Sequence, residues 1–509
     1  MEGVGMSVYE LGDGRALCWD DFFMDKQNRV AITMHKPERK EIAVVCDGEC
    51  DGNHNGYGGV IEADGKITFR YRSADLDFFA DGSLRESPML YCVMESQDGK
   101  NFKKKILHKY KYYGDSYNHI FHMEQRYIDN FAVYYDENPD CPANERYKAL
   151  SMVENRYVEN AEKYFGDKLE KITQKQVIPE IKGDKPELAL YTSENGIDFE
   201  FKRILDLGGG YDSYNVLLWD HTTKQYYIYY RYNHVPGLNG EPLSREIRVC
   251  TSKDLVNFEF LGAIDFGEKE NDIQFYTSQI VRYKRAKDMF IGFPMRYIER
   301  DQVAHNYEQF PRAAKKEHLI KCFGRTGHAV TDCAIMTSRD GKSFNRWDEA
   351  YIAPGIESEI NWWYGDCAMA YGMIETESDI PGAPNELSIF VTENYRMKDV
   401  NWRRYTVRMD GFFSWYADYA GGEVLTKPFT FEGNELEVNF STSALGSLEI
   451  DICDEEGTPI EGYQSGILFG DSIKRIVHFK NDLQELNGKA IRMKLKLKDC
   501  HIYSFKFNA

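Results

Sequence analysis

The sequence predicts an all-β protein in which a β-propeller is followed by an antiparallel β-sandwich. Three patterns indicate this fold class: a short turn phrase that recurs after apolar strands, further strands bounded by turn signals, and strict alternation of apolar and polar residues near the end. The chain has 509 residues, of which 42% are hydrophobic, so it can bury a large core in more than one domain.

The recurring phrase reads Ser-x-Asp/Asn-Gly-x-x-Phe, with Leu in place of Gly in the third copy. The Asp-Gly or Asn-Gly pair suits the positive φ of a tight hairpin turn, and the Phe returns to the core on the next strand. Each copy therefore predicts one hairpin within a four-stranded propeller blade, and the unequal spacing predicts insertions between hairpins. The copies span residues 96–102, 193–199, 252–258 and 338–344.

Two stretches interrupt this pattern. In residues 151–180 the apolar positions follow helical spacing, which predicts an amphipathic helix inserted into a blade. Residues 301–330 carry three His and several Lys and Arg without a strand pattern, which predicts a long loop.

The pattern of apolar and polar residues changes near residue 419. Ile491, Met493, Leu495 and Leu497 alternate with basic residues, as expected for a strand with one buried face. We therefore predict two domains, a propeller over residues 1–418 and a β-sandwich over residues 419–509.

The amino-acid composition limits the classes of ligand and partner that the protein is expected to bind. The chain has 82 acidic and 63 basic side chains, a net charge of -19, so a nucleic-acid partner is not expected. Abundant aromatics beside this acid excess, 35 Tyr and 30 Phe, favour a neutral polyhydroxylated ligand. A small carbohydrate is thus the expected partner, and a homo-oligomer stays open.

The compartment is read from targeting signals and cysteines. There is no apolar run of about 18 residues for a membrane span, and the first residues lack the basic and apolar regions of a signal peptide. The 11 Cys are an odd number and stand mostly in apolar, strand-like contexts, which favours free thiols. The sequence therefore predicts a cytoplasmic protein.

No metal or cofactor is predicted from residue spacing. The His residues lack HExxH spacing, and Cys46 and Cys50 have no second pair at zinc-ligand spacing. A structural Ca²⁺ on the propeller axis stays open.

Several carboxylates are predicted at the starts of apolar strands. In a propeller the innermost strands face a central channel, so polar residues that begin them converge there. A single Asp is more often a turn residue than a catalyst, so the set is stronger evidence than any one member. The candidates for catalysis are Asp20, Asp21, Asp212, Asp272 and Glu393, and two further acids, Asp332 and Asp366, are candidates for substrate binding.

Aromatic side chains beside these positions could stack on sugar faces. Arg296 could orient a hydroxyl or a carboxylate, or could form an ion pair with a channel acid, and both interpretations stay open. The aromatic candidates are Trp19, Tyr57, Tyr211, Tyr276, Trp363 and Tyr395.

Paired carboxylates are what cleavage of a glycosidic bond requires. One protonates the leaving oxygen, and the other attacks carbon or activates water. Neighbouring carboxylates in a partly desolvated pocket also raise the pKa of the acid. The pattern therefore favours a glycoside hydrolase.

Longer motifs resemble a known group. WDDFFMD, ENPDCPANERYKAL, YDSYNVLLWD, IGFPMRY and the stretch beginning GGEVLTKPFTFEG resemble bacterial glycoside-hydrolase-like propellers over nearly the whole chain. That group is similar to the five-bladed propellers of glycoside hydrolase families 32, 43 and 68, which act on fructosides and arabinosides. WDDFFMD departs from the Asn-Asp-Pro type of fructosidase motif.

The resemblance implies roles for individual carboxylates. By this likeness Asp20 or Asp21 is the nucleophile or base, Asp212 stabilises the transition state, and Asp272 or Glu393 is the acid. Two other functions stay open: a phosphorylase resembling family 130, with a phosphate site supplied by residues 301–330, and a carbohydrate-binding propeller without catalysis.

Overall fold

The computed structural model describes residues 8–79, 81–82, 84–87, 89–124, 126–157, 169–171, 185–234, 244–269, 273–300, 306–311, 313–323 and 328–508. Strands make up most of the regular structure in these ranges, which confirms the all-β class. Among the described residues, an α-helix spans Ala313–Phe323, and short 3-10 turns span Ala143–Glu145, Tyr307–Gln309 and Leu483–Leu486.

Five antiparallel sheets of four strands follow one another along the chain, and we call them sheets I to V. Sheet I contains Gly56–Ala63, Lys66–Ser73, Leu90–Ser96 and Lys103–Lys104; sheet II contains Arg126–Tyr135, Tyr147–Tyr157, Glu187–Ser193 and Glu200–Leu205; sheet III contains Val216–Asp220, Gln225–His234, Ser244–Ser252 and Glu259–Ala263; sheet IV contains Val281–Arg282, Phe290–Gly292, Met336–Ser338 and Asn345–Arg346; sheet V contains Ile374–Thr376, Glu386–Glu393, Asn401–Val407 and Glu38–Val45.

Shorter strands extend this framework. They are Ile120–Met123, which adds to Leu90–Ser96; the pairs Leu76–Phe78 with Leu84–Glu86 and Tyr110–Tyr112 with Leu169–Lys171; and a three-stranded sheet of Gln274–Phe275, Met295–Glu299 and Ala329–Cys333.

The first strands of the five sheets surround a common axis. A cavity of about 400 Å³ is lined by the ends of all five first strands or by the residues that flank them. Beside it, the rings of Tyr134, Tyr214 and Tyr371 from three different sheets pack together with centroids 5.0–6.1 Å apart. Sheets that radiate from a shared channel are the arrangement of a β-propeller.

The turn phrase predicted from the sequence is confirmed in sheets I to IV, where each copy joins the third strand to the fourth. In the first copy the Ser96 hydroxyl accepts the Gly99 amide, and Asp98 accepts the next two amides. Sheet V has no copy because its fourth strand, Glu38–Val45, comes from the other end of the chain. That strand closes the ring.

The C-terminal part is an antiparallel β domain built on two long strands, Glu435–Cys453 and Arg492–Asn508, which pair along their length. Their shared sheet has nine strands and includes Arg15–Leu17, Met24–Asn28, Ala31–Met34, Phe413–Ala417, Gly422–Thr426, Pro459–Gln464 and Asp471–Val477; Tyr9–Gly12 pairs separately with Phe429–Phe431. The apolar face predicted in Ile491–Leu497 is buried.

The predicted domain boundaries need correction at the N-terminus. Leu11, Ala16 and Phe23 pack into one core with Trp415 and Phe505, so residues 8–34 belong to the β domain and not to the ring. The ring spans the chain from Glu38 to Val407, and the β domain takes strands from both ends. The sequence missed this because strand pairing between distant segments leaves no local pattern.

Two predicted interruptions also need correction. Tyr147–Tyr157 and Leu169–Lys171 are strands, so the predicted helix is wrong for those residues, and the rest of 151–180 lies outside the described residues. The predicted loop at 301–330 contains the helix Ala313–Phe323. In the described part of the chain, that helix is too short and too polar to cross a membrane.

Candidate functional site

Backbone strain gathers at one end of the ring, where the first strands begin, opposite the 400 Å³ cavity. Each sheet has a non-glycine residue with positive φ near this end: Tyr57 at 52°, Asn130 at 59°, Tyr211 at 43°, Gln279 at 43° and Cys367 at 59°. Such conformations cost free energy and persist where the surroundings impose them, often at functional sites. We call this end the mouth.

Arg72 is the most connected side chain at the mouth. It ends the second strand of sheet I, is 3% exposed, and donates to the Asp129 carboxylate at 2.8 Å. It also donates to His54 Nε2 at 2.9 Å and to the Tyr395 hydroxyl at 2.8 Å. Burial alone would lower the pKa of Arg72, but Asp129 and nearby tyrosines outweigh burial and raise it. Arg72 is therefore a fixed cation that joins sheets I, II and V.

Arg231 holds the equivalent place in sheet III. It is 4% exposed, and its Nη2 lies 2.9 Å from an Asp212 carboxylate oxygen. Its guanidinium carbon lies 4.4 Å from the centroid of the Tyr276 ring, and Arg245 stacks on the same ring at 5.4 Å. Asp212 is about half exposed, so it faces solvent more than Asp129 does.

Tyrosine rings form the walls between these charges. The ring of Tyr364 lies 5.6 Å from Tyr276 and 5.8 Å from Tyr395, and Arg396 stacks on it at 4.7 Å. Tyr57 lies under Arg72 at 4.7 Å. Burial raises the pKa values of Tyr57 and Tyr364, so both phenols stay neutral.

Several buried polar atoms at the mouth have no hydrogen-bond partner among the described residues. They include Arg72 Nε, Arg231 Nε and Nη1, Gln279 Oε1 and both side-chain polar atoms of Asn394. Buried donors and acceptors of this kind usually have hydrogen-bond partners. A cluster of atoms without partners therefore indicates a binding site for the hydroxyl groups or anionic oxygens of a ligand.

Four of the predicted site residues meet at the mouth: Tyr57, Asp212, Tyr276 and Tyr395. A fifth, Asp272, lies outside the described residues. The other predicted residues are placed elsewhere.

Asp20, Asp21 and Trp19 lie in the β domain and its contact with sheet IV. Asp20 accepts two bonds from Arg339 at 2.8 and 2.9 Å, and Asp21 is exposed in a turn. Trp19 is fully buried and donates to the Asp410 carbonyl. They do not converge at the mouth because the segment Leu17–Phe23 begins no first strand of the ring.

Glu393 is held by two arginines away from the mouth. Arg403 and Arg39 each donate to its carboxylate at 2.8 Å. Glu393 instead lines another cavity of about 680 Å³, together with Tyr351, Asp366 and Cys367. Glu393 and Arg403 lie on adjacent strands of sheet V and contact each other there. Tyr395 instead follows the end of the strand that carries Glu393.

Arg296 and Asp332 pair with each other on adjacent strands, at 2.6 and 2.5 Å, so the ion-pair interpretation of Arg296 is confirmed. Tyr211 and Trp363 are buried, and the Tyr211 hydroxyl accepts the Leu207 amide. Asp366 accepts the Trp363 amide at 3.0 Å in a turn. These side chains form an ion pair, a turn contact and buried packing, and are not part of the charged group at the mouth.

The prediction from sequence missed most of the charged residues at the mouth. A signal was present: a Tyr-Arg pair occurs in the second half of the second strand or just after it in sheets I, III and V, as Tyr71-Arg72, Tyr230-Arg231 and Tyr395-Arg396. Asp129 gave no such signal, since it lies inside a strand at a register shift.

Comparison with known proteins gives fold neighbours only. No sequence-family profile and no curated protein matches the chain. Solved structures similar to the chain include a glycoside hydrolase (TM-score 0.42, 11% identity, 73% of this chain and 92% of that one). A β-1,2-mannobiose phosphorylase from Listeria innocua has a TM-score of 0.41 and 11% identity, over 74% of this chain and 97% of that one. A GH32 β-fructofuranosidase from Bombyx mori has a TM-score of 0.37 and 9% identity, over 94% of each chain.

Proposed function

We propose that the chain is a carbohydrate-active enzyme that cleaves glycosidic bonds at the mouth of a five-bladed β-propeller. The observation that carries this proposal is the convergence of Asp129 and Asp212, each paired to a buried arginine, with tyrosine rings between them. Carboxylates supply the acid, base or nucleophile, and tyrosines and unpartnered guanidinium N–H groups receive sugar faces and hydroxyls.

The two carboxylates have different surroundings. Asp129 is buried and paired to the Arg72 guanidinium, which holds its carboxylate in place to act as the base or nucleophile. Asp212 is half exposed and touches Arg231 through one oxygen, so a bound sugar can displace that contact. Once freed from that contact, Asp212 would lie against the sugar as the candidate general acid.

The arginines favour phosphorolysis as a second candidate. Three arginines, Arg72, Arg231 and Arg245, lie at the mouth beside two carboxylates of the described residues, Asp129 and Asp212. A local cation excess suits an anionic co-substrate such as inorganic phosphate, which would attack the anomeric carbon in place of water.

The test is product analysis of a panel of manno-, fructo- and arabino-oligosaccharides incubated with the full chain, with and without inorganic phosphate. Free sugar in both conditions supports hydrolysis, and sugar phosphate formed only with phosphate supports phosphorolysis. Binding of an oligosaccharide without any cleavage in either condition would contradict the enzyme and indicate a binding protein.

A further inference from the structure

A second cluster of reactive side chains lies behind the mouth, inside sheet I. Cys50 and Asp51 precede its first strand, Cys92 is in its third strand, and His119 precedes Ile120–Met123. Their exposed fractions are 5%, 0%, 0% and 1% respectively. Each offers a ligand-type atom, and the four atoms lie within 4.8 Å of one another.

The spacing of two donors matches tetrahedral metal coordination. Cys50 Sγ lies 3.6 Å from His119 Nδ1. Zinc bonds of about 2.3 Å to sulfur and about 2.1 Å to nitrogen, at a tetrahedral angle, place the two ligand atoms about 3.6 Å apart.

Asp51 fixes the orientation of His119. One Asp51 oxygen lies 3.0 Å from His119 Nε2 and accepts from the Tyr71 hydroxyl at 2.5 Å, and the other accepts the Gly48 amide at 2.6 Å. A carboxylate on Nε2 leaves the Nδ1 lone pair for the metal. This is the usual support for a metal-binding histidine.

We propose that Cys50, Cys92 and His119 bind a zinc-class divalent cation, with Asp51 orienting the histidine. Two thiolates and an imidazole are the donors that Zn²⁺ prefers over Ca²⁺ or Mg²⁺. The cation ties the loop at Cys50 to two other strands of sheet I. His54 follows three residues after Asp51 and contacts Arg72, so the cation also steadies one wall of the mouth.

This site differs from what residue spacing predicts. The ligands are separated by 42 and 27 positions along the chain, and none of the pairs has the close spacing of a zinc motif. Folding of sheet I alone brings them together. The proposal is independent of the reaction at the mouth.

The experiment measures metal in the full chain, purified under reducing conditions. We expect about one equivalent of zinc by elemental analysis, and after exchange with Co²⁺ a sulfur-to-cobalt charge-transfer band in the near ultraviolet. Failure of the wild-type chain to bind either ion stoichiometrically overturns the proposal, as does a Cys50–Cys92 disulfide in the freshly reduced, metal-equilibrated protein.

Matched variants locate the site. Cys92→Ser and His119→Gln should each weaken Co²⁺ binding at least tenfold, and Asp51→Asn by about 10- to 100-fold. Cys250→Ser is the control, because Cys250 is also fully buried in the third strand of its sheet. Equal Co²⁺ affinity in Cys92→Ser and the control would also overturn the proposal. If a variant does not fold, the sulfur-to-cobalt charge-transfer band of the wild-type chain decides whether the metal site exists.

Discussion

Single residues at the mouth differ chiefly in how much water reaches them. The side chains of Arg72 and Asp129 are 3% and 6% exposed, so their ion pair is a fixed part of the fold. Arg231 is equally buried, but its partner Asp212 is 52% exposed, which leaves that pair open to a ligand. The two pairs therefore differ in mobility: the fold holds the Arg72–Asp129 pair in place, whereas the Arg231–Asp212 pair can rearrange when a substrate binds.

Replacing Arg231 tests the ligand-facing pair. Arg231→Met keeps the stacking volume on Tyr276 but removes the charge and the unpartnered N–H groups. We expect kcat/KM for the responsive glycoside to fall by about 100-fold or more, the effect of losing charge-assisted contacts in a partly desolvated site. Steady-state kinetics measure it, with Arg296→Met as the control, since Arg296 pairs with Asp332 outside the mouth. Equal losses in both variants would contradict the role of Arg231.

Residues at or just before the start of a first strand are those whose position local pattern predicts. Asp212 precedes Val216–Asp220 and Tyr57 is the second residue of Gly56–Ala63, and both lie at the mouth. Asp129 lies within its strand, and Arg72 reaches the mouth only because the second strand runs back toward it. Such placement depends on pairing between strands, which the sequence does not display.

Among the elements, the strand Glu38–Val45 has the largest effect on the architecture, because it completes sheet V from the far end of the chain. Arg404 fastens it: this fully buried side chain donates to Glu41 at 2.6 and 3.1 Å and to Ser388 at 3.2 Å. Arg404 therefore reinforces the ring closure made by the backbone pairing of Glu38–Val45 with Asn401–Val407.

Arg404→Met should lower the free energy of unfolding by about 1–3 kcal/mol, since it leaves the partly buried Glu41 without its arginine and removes one of the two partners of Ser388. Urea unfolding measures this change. The control is Arg29→Met, which removes a contact to exposed Asp418 and should cost much less than Arg404→Met. If the two variants were equally stable, Arg404 would not stabilise the pairing of Glu38–Val45 with sheet V.

His35 gives the junction between the ring and the β domain a pH dependence. His35 Nε2 lies 2.8 Å from the Ser414 hydroxyl, which also contacts His501. Burial, with help from His501 and Arg408, lowers the pKa of His35 to about 4. The unfolded chain therefore binds more protons between about pH 6.5 and 4, so stability falls as pH drops through that window.

The expected loss from His35 is about 2 kcal/mol between pH 7 and pH 5. Chemical denaturation at the two pH values measures it, and His35→Gln should remove most of that difference. His478→Gln, a substitution in the C-terminal domain outside this contact, should leave it unchanged. A His35→Gln chain with the full wild-type pH dependence would show that another group titrates.

At the scale of the whole molecule, Asp410 is one of the residues that join the ring to the β domain. Its fully buried carboxylate accepts from Tyr283 and Arg285 of the ring at 2.7 Å and from Ser504 of the β domain at 2.7 Å. Removing one partner of such a buried pair is costly. The two domains should therefore unfold together.

Asp410→Asn tests this coupling by calorimetry. The wild-type chain should show one cooperative transition, and the variant a lower Tm with a destabilisation of about 3–5 kcal/mol. Asp332→Asn, which alters a pair within one domain, should lower Tm less. Two separate transitions in the wild-type chain would contradict a single folding unit.

At the scale of the whole molecule, the sequence predicts the all-β fold class and the hairpin turns. It does not predict which segments of the chain belong to the ring and which to the β domain. Alternating residues after position 419 predict a β domain, since that pattern is local. The packing of Leu11 and Phe23 against Phe505 joins opposite ends of the chain, which no local pattern shows. Asp20 and Asp21 are displaced from the mouth for this reason.

The most direct test of the mouth as the active site is the cleavage rate of one responsive glycoside by Asp129→Asn beside Asp332→Asn. Both substitutions remove the charge of an arginine-paired carboxylate, but only Asp129 lies at the mouth. The account predicts a loss of about 1,000-fold or more for Asp129→Asn and near wild-type rates for Asp332→Asn. Full activity of a folded Asp129→Asn chain would contradict it.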